Sequence, residues 1–399
     1  MIHMHINSNI KYLVGKEEVI NGMSECKPLP IFSELAVKGL SILSKILLSK
    51  EESRRYPDVM TLAFWCRKAS LSEQKREYEL DRFRIGYGMV FHIAPSNVPL
   101  NFAYSFAAAL LAGNASVVRL PSKDFRQTEI VCEAMQSVLE MVPDLRPYVA
   151  FVKYGHEQEI NDWLSAKCDV RVIWGGDRTI GMLRRSQLPA RATEITLADR
   201  YSVAVIHADR YLESEEKLNI ARGFYNDTYY TDQNACTSPC VVIWLGEATD
   251  QAQEVFWKYL HDIARKEYDL QPVQAVDKLV QSCLLASHVE VKMVKASDNI
   301  LNRILLKKLD GDVAKFKGHS GFFMEYRADS LDEMLPICKE RCQTVSYFGI
   351  GKNEWQEFLS RNTFKGVDRI VPIGSTLDFR LRWDGMDFIR RMSREVDIR

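Results

Sequence analysis

Gly88-Met89-Val90-Phe91-His92-Ile93-Ala94, then Pro95-Ser96-Asn97-Val98-Pro99, then Leu100 to Ala112 closed by Gly113-Asn114, then Ser116 to Leu120, is the stretch that sets the fold. A short apolar run of strand length is followed by a proline-bracketed loop. A longer run of helical length then stops at glycine, and a second β-branched run follows. The same grammar continues downstream, with a helix over Asp124 to Met141 and strands over Val149 to Lys153 and Val170 to Trp174. Strands separated by helices at this spacing predict βαβ units and a parallel sheet covered on both faces. Such sheets bind ligands beyond the carboxyl ends of their strands. The loops to watch are therefore Ala94 to Pro99, Pro121 to Lys123 and Gly175 to Thr179. Upstream, apolar spacing predicts scaffold helices over Pro30 to Lys50 and Pro57 to Ser72. The longest apolar run, Phe102 to Ala112, is broken by Tyr104 and Ser105. It falls well short of the roughly 20 residues of a membrane span, so a buried helix is expected and no membrane span.

A chain of 399 residues exceeds one typical core, so two α/β domains with a cleft between them are expected. Hydrophobic residues at 46% and charged residues at 27% are those of a folded globular chain. Lysine plus arginine and aspartate plus glutamate balance at 53 each, so no bulk field favours nucleic acid or an anionic membrane. The nine cysteines and the start Met1-Ile2-His3-Met4-His5, which lacks a secretory pattern, predict a reducing, cytoplasmic setting. The pairs Cys236/Cys240 and Cys338/Cys342 have neither the spacing nor the histidines of a zinc site, and no metal is expected.

A second informative stretch is Thr231-Asp232-Gln233-Asn234-Ala235-Cys236-Thr237-Ser238-Pro239, a polar turn between the end of a helix near Tyr225 and a strand from Cys240 to Leu245. A thiol where a helix hands over to a strand can have its thiolate held by backbone N–H groups, and the thiolate is the reactive form. A small core hydrophobe is the alternative for Cys236. Asn97, fixed between two prolines at a strand end, is placed to donate to an oxyanion or, alternatively, to cap the next helix. Arg119, Pro121, Ser122 and Lys123 end a strand with cations suited to a ribose or its 2′-phosphate, or simply to solvent. Gly175, Gly176 and Thr179 lead a strand into a helix whose N-terminus can receive a phosphate, although a tight turn wants glycine anyway. Neither Gly-x-Gly-x-x-Gly nor a P-loop is present.

Taken in order, these features resemble the aldehyde dehydrogenase superfamily and, within it, the acyl-CoA reductase family typified by the LuxC-type fatty acid reductase of bacterial luminescence. The resemblance runs from about Gly86 to the C-terminus. It implies an α/β fold of two Rossmann-like domains with parallel-rich sheets. It assigns Pro95-Ser96-Asn97-Val98-Pro99 to the oxyanion hole, and Gly113-Asn114 with Arg119-Leu120-Pro121-Ser122 to the adenosine ribose. Gly175 to Gly181 would lie beside the pyrophosphate, and Cys236 in Asp-Gln-x-Ala-Cys-x-Ser-Pro would be the nucleophile. Gly366-Val367-Asp368-Arg369-Ile370-Val371-Pro372 points to the same branch. The implied organisation is N-terminal helices plus a nucleotide-binding domain over 1–205, a catalytic domain over 206–370, and a segment 371–399 for oligomerisation or packing on the first domain.

The departures carry information too. Where hydrolytic relatives place the glutamate of Glu-Leu-Gly-Gly-Lys, this chain has Leu197-Ala198-Asp199-Arg200-Tyr201-Ser202, with Glu194 as a nearby substitute. The Glu-x-Phe-Gly-Pro motif appears only as Lys317-Gly318-His319-Ser320-Gly321, with His319 as a proton donor or as a polar turn residue. The resemblance thus implies NADPH-dependent reduction of a long-chain fatty acyl-CoA through a cysteine thioester, NADH being the alternative cofactor. Aldehyde oxidation, hydrolytic or CoA-acylating, and acyl transfer without redox chemistry are the rival activities. It further implies a homo-oligomer, and an acyl-protein synthetase or transferase partner as another acyl source.

Overall fold

The computed structural model describes residues 9–81, 83–95, 98–294 and 297–398. The chain divides into two units, Met1–Ala198 with Phe379–Arg399, and Asp199–Asp378.

The first unit is built on a six-stranded sheet of β1 (Lys11–Val14), β2 (Met89–Ile93), β3 (Ala115–Arg119), β4 (Val149–Lys153), β5 (Val170–Trp174) and β6 (Thr193–Leu197). The order is β1-β4-β3-β2-β5-β6, all parallel except β1, which runs antiparallel along β4. Every residue of β2 is buried, as expected of a central parallel strand. From β2 the chain winds outward through β3 and β4 to one side, then returns to lay β5 and β6 on the other. The switch point, where such sheets take their ligands, therefore lies between β2 and β5.

Helix α1 (Asn101–Leu111) carries the chain from β2 to β3 and ends at Gly113, whose φ is +91°. A Cβ there would lie 1.9 Å from the Leu29 carbonyl oxygen, so only glycine fits. Asn114 follows, fully buried at the amino end of β3. Its Oδ1 accepts from the N–H groups of Tyr87 (2.7 Å) and Gly88 (3.1 Å), and its Nδ2 donates to the carbonyls of Ala109 (3.1 Å) and Met392 (2.8 Å). The amide is satisfied. The expected contact of Gly113-Asn114 with a ribose is thus corrected: this pair staples the unit at the end of the sheet remote from the ligand edge.

The C-terminal chain belongs to this unit from Phe379 onward. Phe379, Leu381, Trp383, Phe388, Ile389 and Met392 enter its core, and Ser393–Glu395 pairs antiparallel with Arg84–Gly86. The domain boundary expected after residue 370 therefore falls at 378/379, where the chain leaves one core for the other. Among the scaffold helices, Glu34–Ser49 forms as expected. The expected helix over Pro57 to Ser72 is two, Pro57–Trp65 and Lys68–Arg76, because Arg67 takes an extended conformation between them.

The second unit holds a seven-stranded sheet of β7 (Tyr201–His207), β8 (Pro239–Leu245), β9 (Val291–Met293), β10 (Asn302–Leu306), β11 (Phe322–Ala328), β12 (Cys342–Phe348) and β13 (Arg369–Pro372). Its order is β9-β10-β11-β8-β7-β12-β13, parallel but for β9. The boundary expected at 205/206 falls inside β7, whose seven residues all pair in this sheet or cap it. Side chains alternate between two cores as the period of two requires. Val203, Val205, Val241 and Ile243 enter one, while Ala204, Ile206, Val242 and Trp244 enter the other. Among the described residues no helix is long and apolar enough to cross a membrane.

Candidate active site

Helix α3 (Lys217–Asp227) delivers the chain to the cysteine turn. It stops where Thr228 leaves helical backbone and turns its hydroxyl back onto the Phe224 carbonyl at 2.6 Å. A short 3-10 turn, Tyr229–Thr231, leads to Asp232 and Gln233, both left-handed at φ +52° and +57°. Each such non-glycine residue costs about 1 kcal/mol, so something must hold the pair in place.

The Gln233 side chain does so. It is 4% exposed and its amide makes four hydrogen bonds. Nε2 donates to the carbonyls of Pro239 and Phe322, both at 2.9 Å, and Oε1 accepts from the N–H groups of Gly321 (3.0 Å) and Phe322 (3.1 Å). With both lone pairs and both hydrogens used, the amide locks the turn to the first residues of β8 and β11. Hydrogen bonds from Asn234 N–H to Thr231 O (2.8 Å) and Ser238 N–H to Ala235 O (2.9 Å) close the turn around Cys236.

Cys236 is half-buried, and its carbonyl accepts from Ser202 Oγ at 2.7 Å. Ser202 Oγ in turn accepts the Thr344 N–H at 3.2 Å, so β7 and β12 fix the backbone at the thiol. Cys240, four residues on, is 2% exposed and burial pushes its thiol up to about 11. It packs, as expected, and stays protonated near neutral pH. All nine cysteines are thiols.

A second loop, 317–321, is laid against the turn. The Ser320 N–H donates to the Asp232 carbonyl at 3.0 Å, and His319 Nδ1 lies 3.1 Å from the Gln233 carbonyl. A carbonyl only accepts, so Nδ1 carries the hydrogen and Nε2 is the basic nitrogen of the neutral ring. His319 itself is exposed. Lys317 Nζ reaches Asp199 Oδ1 (3.0 Å) and the Arg200 carbonyl (3.1 Å). Behind the loop, helix α5 (Pro272–His288), preceded in the chain by α4 (Thr249–Glu267), sends in Lys278, 1% exposed. Its ammonium donates to the carbonyls of Ser320 (2.8 Å), Ile300 (3.3 Å) and Asn299, and burial lowers its pKa to about 8.

In the first unit the expected cofactor residues gather on the carboxyl edge of the sheet, on either side of β2. Arg119 ends β3, with its guanidinium on the Gly155 carbonyl and 4.6 Å from the Tyr154 ring centroid. Pro121 is buried, whereas Ser122 and Lys123 are exposed. Gly175 follows β5, and Gly176 caps α2 (Asp177–Leu183), on whose first turn Thr179 is exposed. A Cβ on Gly175 would come within 3.1 Å of the Thr179 side chain, while one on Gly176 would meet open space. Bare backbone at the switch point is the kind of surface that receives the phosphates of a dinucleotide. Asn97 lies outside the described residues, as does Ser96.

Glu194, the expected substitute base, is committed elsewhere. Its Oε2 accepts from the buried Arg171 (Nε at 2.9 Å) and its Oε1 from Arg184 (2.8 Å), so both carboxylate oxygens serve ion pairs within the first unit. Sequence reasoning missed three supports of the turn. Gln233 was quoted only as part of a motif, and nothing local in the sequence reveals its four partners. Lys278 follows Asp277 on a helix whose Val273, Val276 and Val280 are exposed, so nothing local marks it as the buried residue. Asp227, the last residue of α3, is 1% exposed and accepts the N–H groups of Gly374 (2.6 Å) and Thr376 (3.1 Å), with burial raising its pKa to about 7. Among the described residues no group of three or more His, Cys, Asp or Glu is placed to hold a metal.

Comparison with known proteins accords with this geometry. Residues 66–395 match the family model for acyl-CoA reductase (LuxC). A 3-sulfolactaldehyde dehydrogenase from Priestia aryabhattai is 30% identical over 145 residues, which is 36% of this chain and 29% of that protein's length. Among solved structures, an NAD-dependent benzaldehyde dehydrogenase from Corynebacterium glutamicum superposes with a TM-score of 0.64 at 14% identity, covering 94% of this chain and 88% of the other. An NAD-dependent aldehyde dehydrogenase from Sinorhizobium meliloti gives 0.66 at 14% identity, covering 94% and 84%. At such identities the structures show a shared aldehyde dehydrogenase fold.

Proposed function

The chain belongs to the acyl-CoA reductase (LuxC) family, and from that premise we propose that it reduces a long-chain fatty acyl-CoA to the aldehyde with NADPH, through a thioester on Cys236. The observation that carries this reading is the cysteine turn: a half-buried thiol whose backbone is fixed by Ser202 and whose approach is locked by the Gln233 amide. A nucleophile held in one geometry attacks with less entropy to lose.

In this reading Cys236 Sγ, as thiolate, attacks the acyl carbonyl. The oxyanion is taken by the Cys236 backbone N–H and by the amide assigned to Asn97 on sequence grounds. The CoA sulfur departs and the acyl group stays on Sγ. The carboxyl-edge loops of the first unit, through Gly175, Gly176, Thr179, Pro121, Ser122 and the cations Arg119 and Lys123, would hold NADPH, which would supply the hydride. Sγ then leaves as thiolate when the aldehyde forms. Hydrolysis would need a carboxylate poised to activate water. Glu194 is occupied by two arginines and Asp199 by Lys317, which favours reduction over release of free acid.

A labelled long-chain acyl-CoA should mark Cys236 in the native protein and leave Cys236→Ala unmarked. Equal labelling of the two would overturn the proposal. NADPH oxidation that follows acyl-CoA length would identify the substrate class, and labelling without NADPH oxidation would point to acyl transfer or a partner that completes the chemistry. Cofactor choice rests on Arg119 and Lys123, and self-association on the family's habit of pairing subunits.

A further inference from the structure

We propose that His319 is the acid–base partner of Cys236. This deepens the reading above and rests on Cys236 being the acylated residue.

The histidine is fastened to the cysteine turn. Ser320 N–H binds the Asp232 carbonyl, and Gly321 and Phe322 give their N–H groups to the Gln233 side chain. His319, next to these anchors, places Nδ1 3.1 Å from the Gln233 carbonyl. Gln233 and Cys236 are three residues apart, so at about 3.8 Å per residue their Cα atoms lie within roughly 11 Å, and the closed turn shortens that span. The bond through Nδ1 sets the tautomer and leaves Nε2 as the basic nitrogen, without a partner among the described residues. The ring is exposed, which an incoming acyl-CoA requires.

Of the other ionisable groups at the turn, the two lysines are engaged, and Asp232 takes two hydrogen bonds on Oδ1, from Tyr268 (2.7 Å) and Gln274 (3.4 Å). Lys317 is paired with Asp199, and Lys278 is surrounded by three carbonyls. An imidazole is also the side chain suited to take and return a proton near neutral pH. Nε2 takes the Sγ proton, giving the thiolate that forms the S–C bond. When the bond from the acyl carbon to the CoA sulfur breaks, the imidazolium returns that proton to the leaving sulfur, giving CoA thiol and neutral His319. Protons and electron pairs balance, and no oxidant or reductant enters this half-reaction.

The test reads the thiol directly. Iodoacetamide alkylation of Cys236, followed by site-resolved mass spectrometry from about pH 6 to 10, is compared for the native protein, His319→Asn and His319→Ala. Asparagine keeps an N–H for the Gln233 carbonyl and deletes Nε2. The expected result is alkylation slowed about tenfold or more near pH 7 in both variants, with rates converging as alkaline pH ionises the thiol unaided. A His319→Asn profile superposable on the native one would overturn the proposal, whether or not His319→Ala is slow, because it would assign the side chain to holding the loop. If the native protein alkylates in this His319-dependent way and yet is never acylated by acyl-CoA, the acyl-CoA reading fails and the acid–base pair stands.

Discussion

The two parallel sheets offer their chemistry at opposite edges. In the first unit the candidate residues follow strands: Arg119 to Lys123 after β3, and Gly175 to Thr179 after β5. In the second they precede strands: Asp199 and Arg200 before β7, Cys236 before β8, and Lys317 to Gly321 before β11. On the proposed assignment, the rule that α/β sheets work at their carboxyl ends describes one unit and not the other. The difference fits the ligands proposed for each. A dinucleotide wants helix N-termini and bare glycine backbone, which the carboxyl edge supplies. A thiolate or acyl oxyanion wants donors from a rigid turn, and the turn before β8 is held rigid by the Gln233 amide and by Ser202.

Removing the Cys236 thiol should separate the two edges most sharply. Cys236→Ala is expected to abolish acyl labelling and turnover while leaving nucleotide binding at the native level in a fluorescence titration. A parallel loss of nucleotide binding would erase the distinction between the edges.

Next in size is the clamp. Gln233→Ala leaves two buried carbonyls and two buried N–H groups without their partner, and at about 1–3 kcal/mol for such losses the second unit should be destabilised by roughly 3 kcal/mol. Denaturant unfolding measures this, and a change under about 1 kcal/mol would show that the turn holds itself.

Asp227 gives a pH-dependent effect of about 2 kcal/mol. Its folded pKa of about 7 is raised above the unfolded value, so the stability it contributes is present below about pH 4 and is lost as pH rises through 7. Native stability should therefore fall relative to Asp227→Asn between pH 5 and 8, measured by parallel unfolding curves. A constant difference would mean the carboxyl titrates normally.

The smallest effect belongs to the first unit. Arg119→Ala should weaken NADPH about tenfold relative to NADH, some 1.4 kcal/mol, without altering Cys236 alkylation. An equal loss for both nucleotides would move phosphate recognition to Lys123 or elsewhere.

Much of the first unit was legible along the chain. The strands over 149–153 and 170–174 lie where the apolar runs end, because a buried parallel strand is a continuous β-branched run that declares itself. The crossing into the second unit, expected at 205/206, comes at 198/199, just before β7. Asn114 was misread, since a Gly-Asn pair after a helix looks alike whether it faces a ribose or staples a C-terminal segment 278 residues away.

By itself the sequence determined the fold class and the family and singled out Cys236 as the candidate thiol, because periodicity, glycine stops and short motifs are local properties of the chain. Tertiary structure alone decided which edge each motif occupies, that Glu194 is consumed by Arg171 and Arg184, and that Gln233, Lys278 and His319 converge on one turn. Those facts depend on strand order and on hydrogen-bond partners tens of residues distant, and no local pattern encodes them.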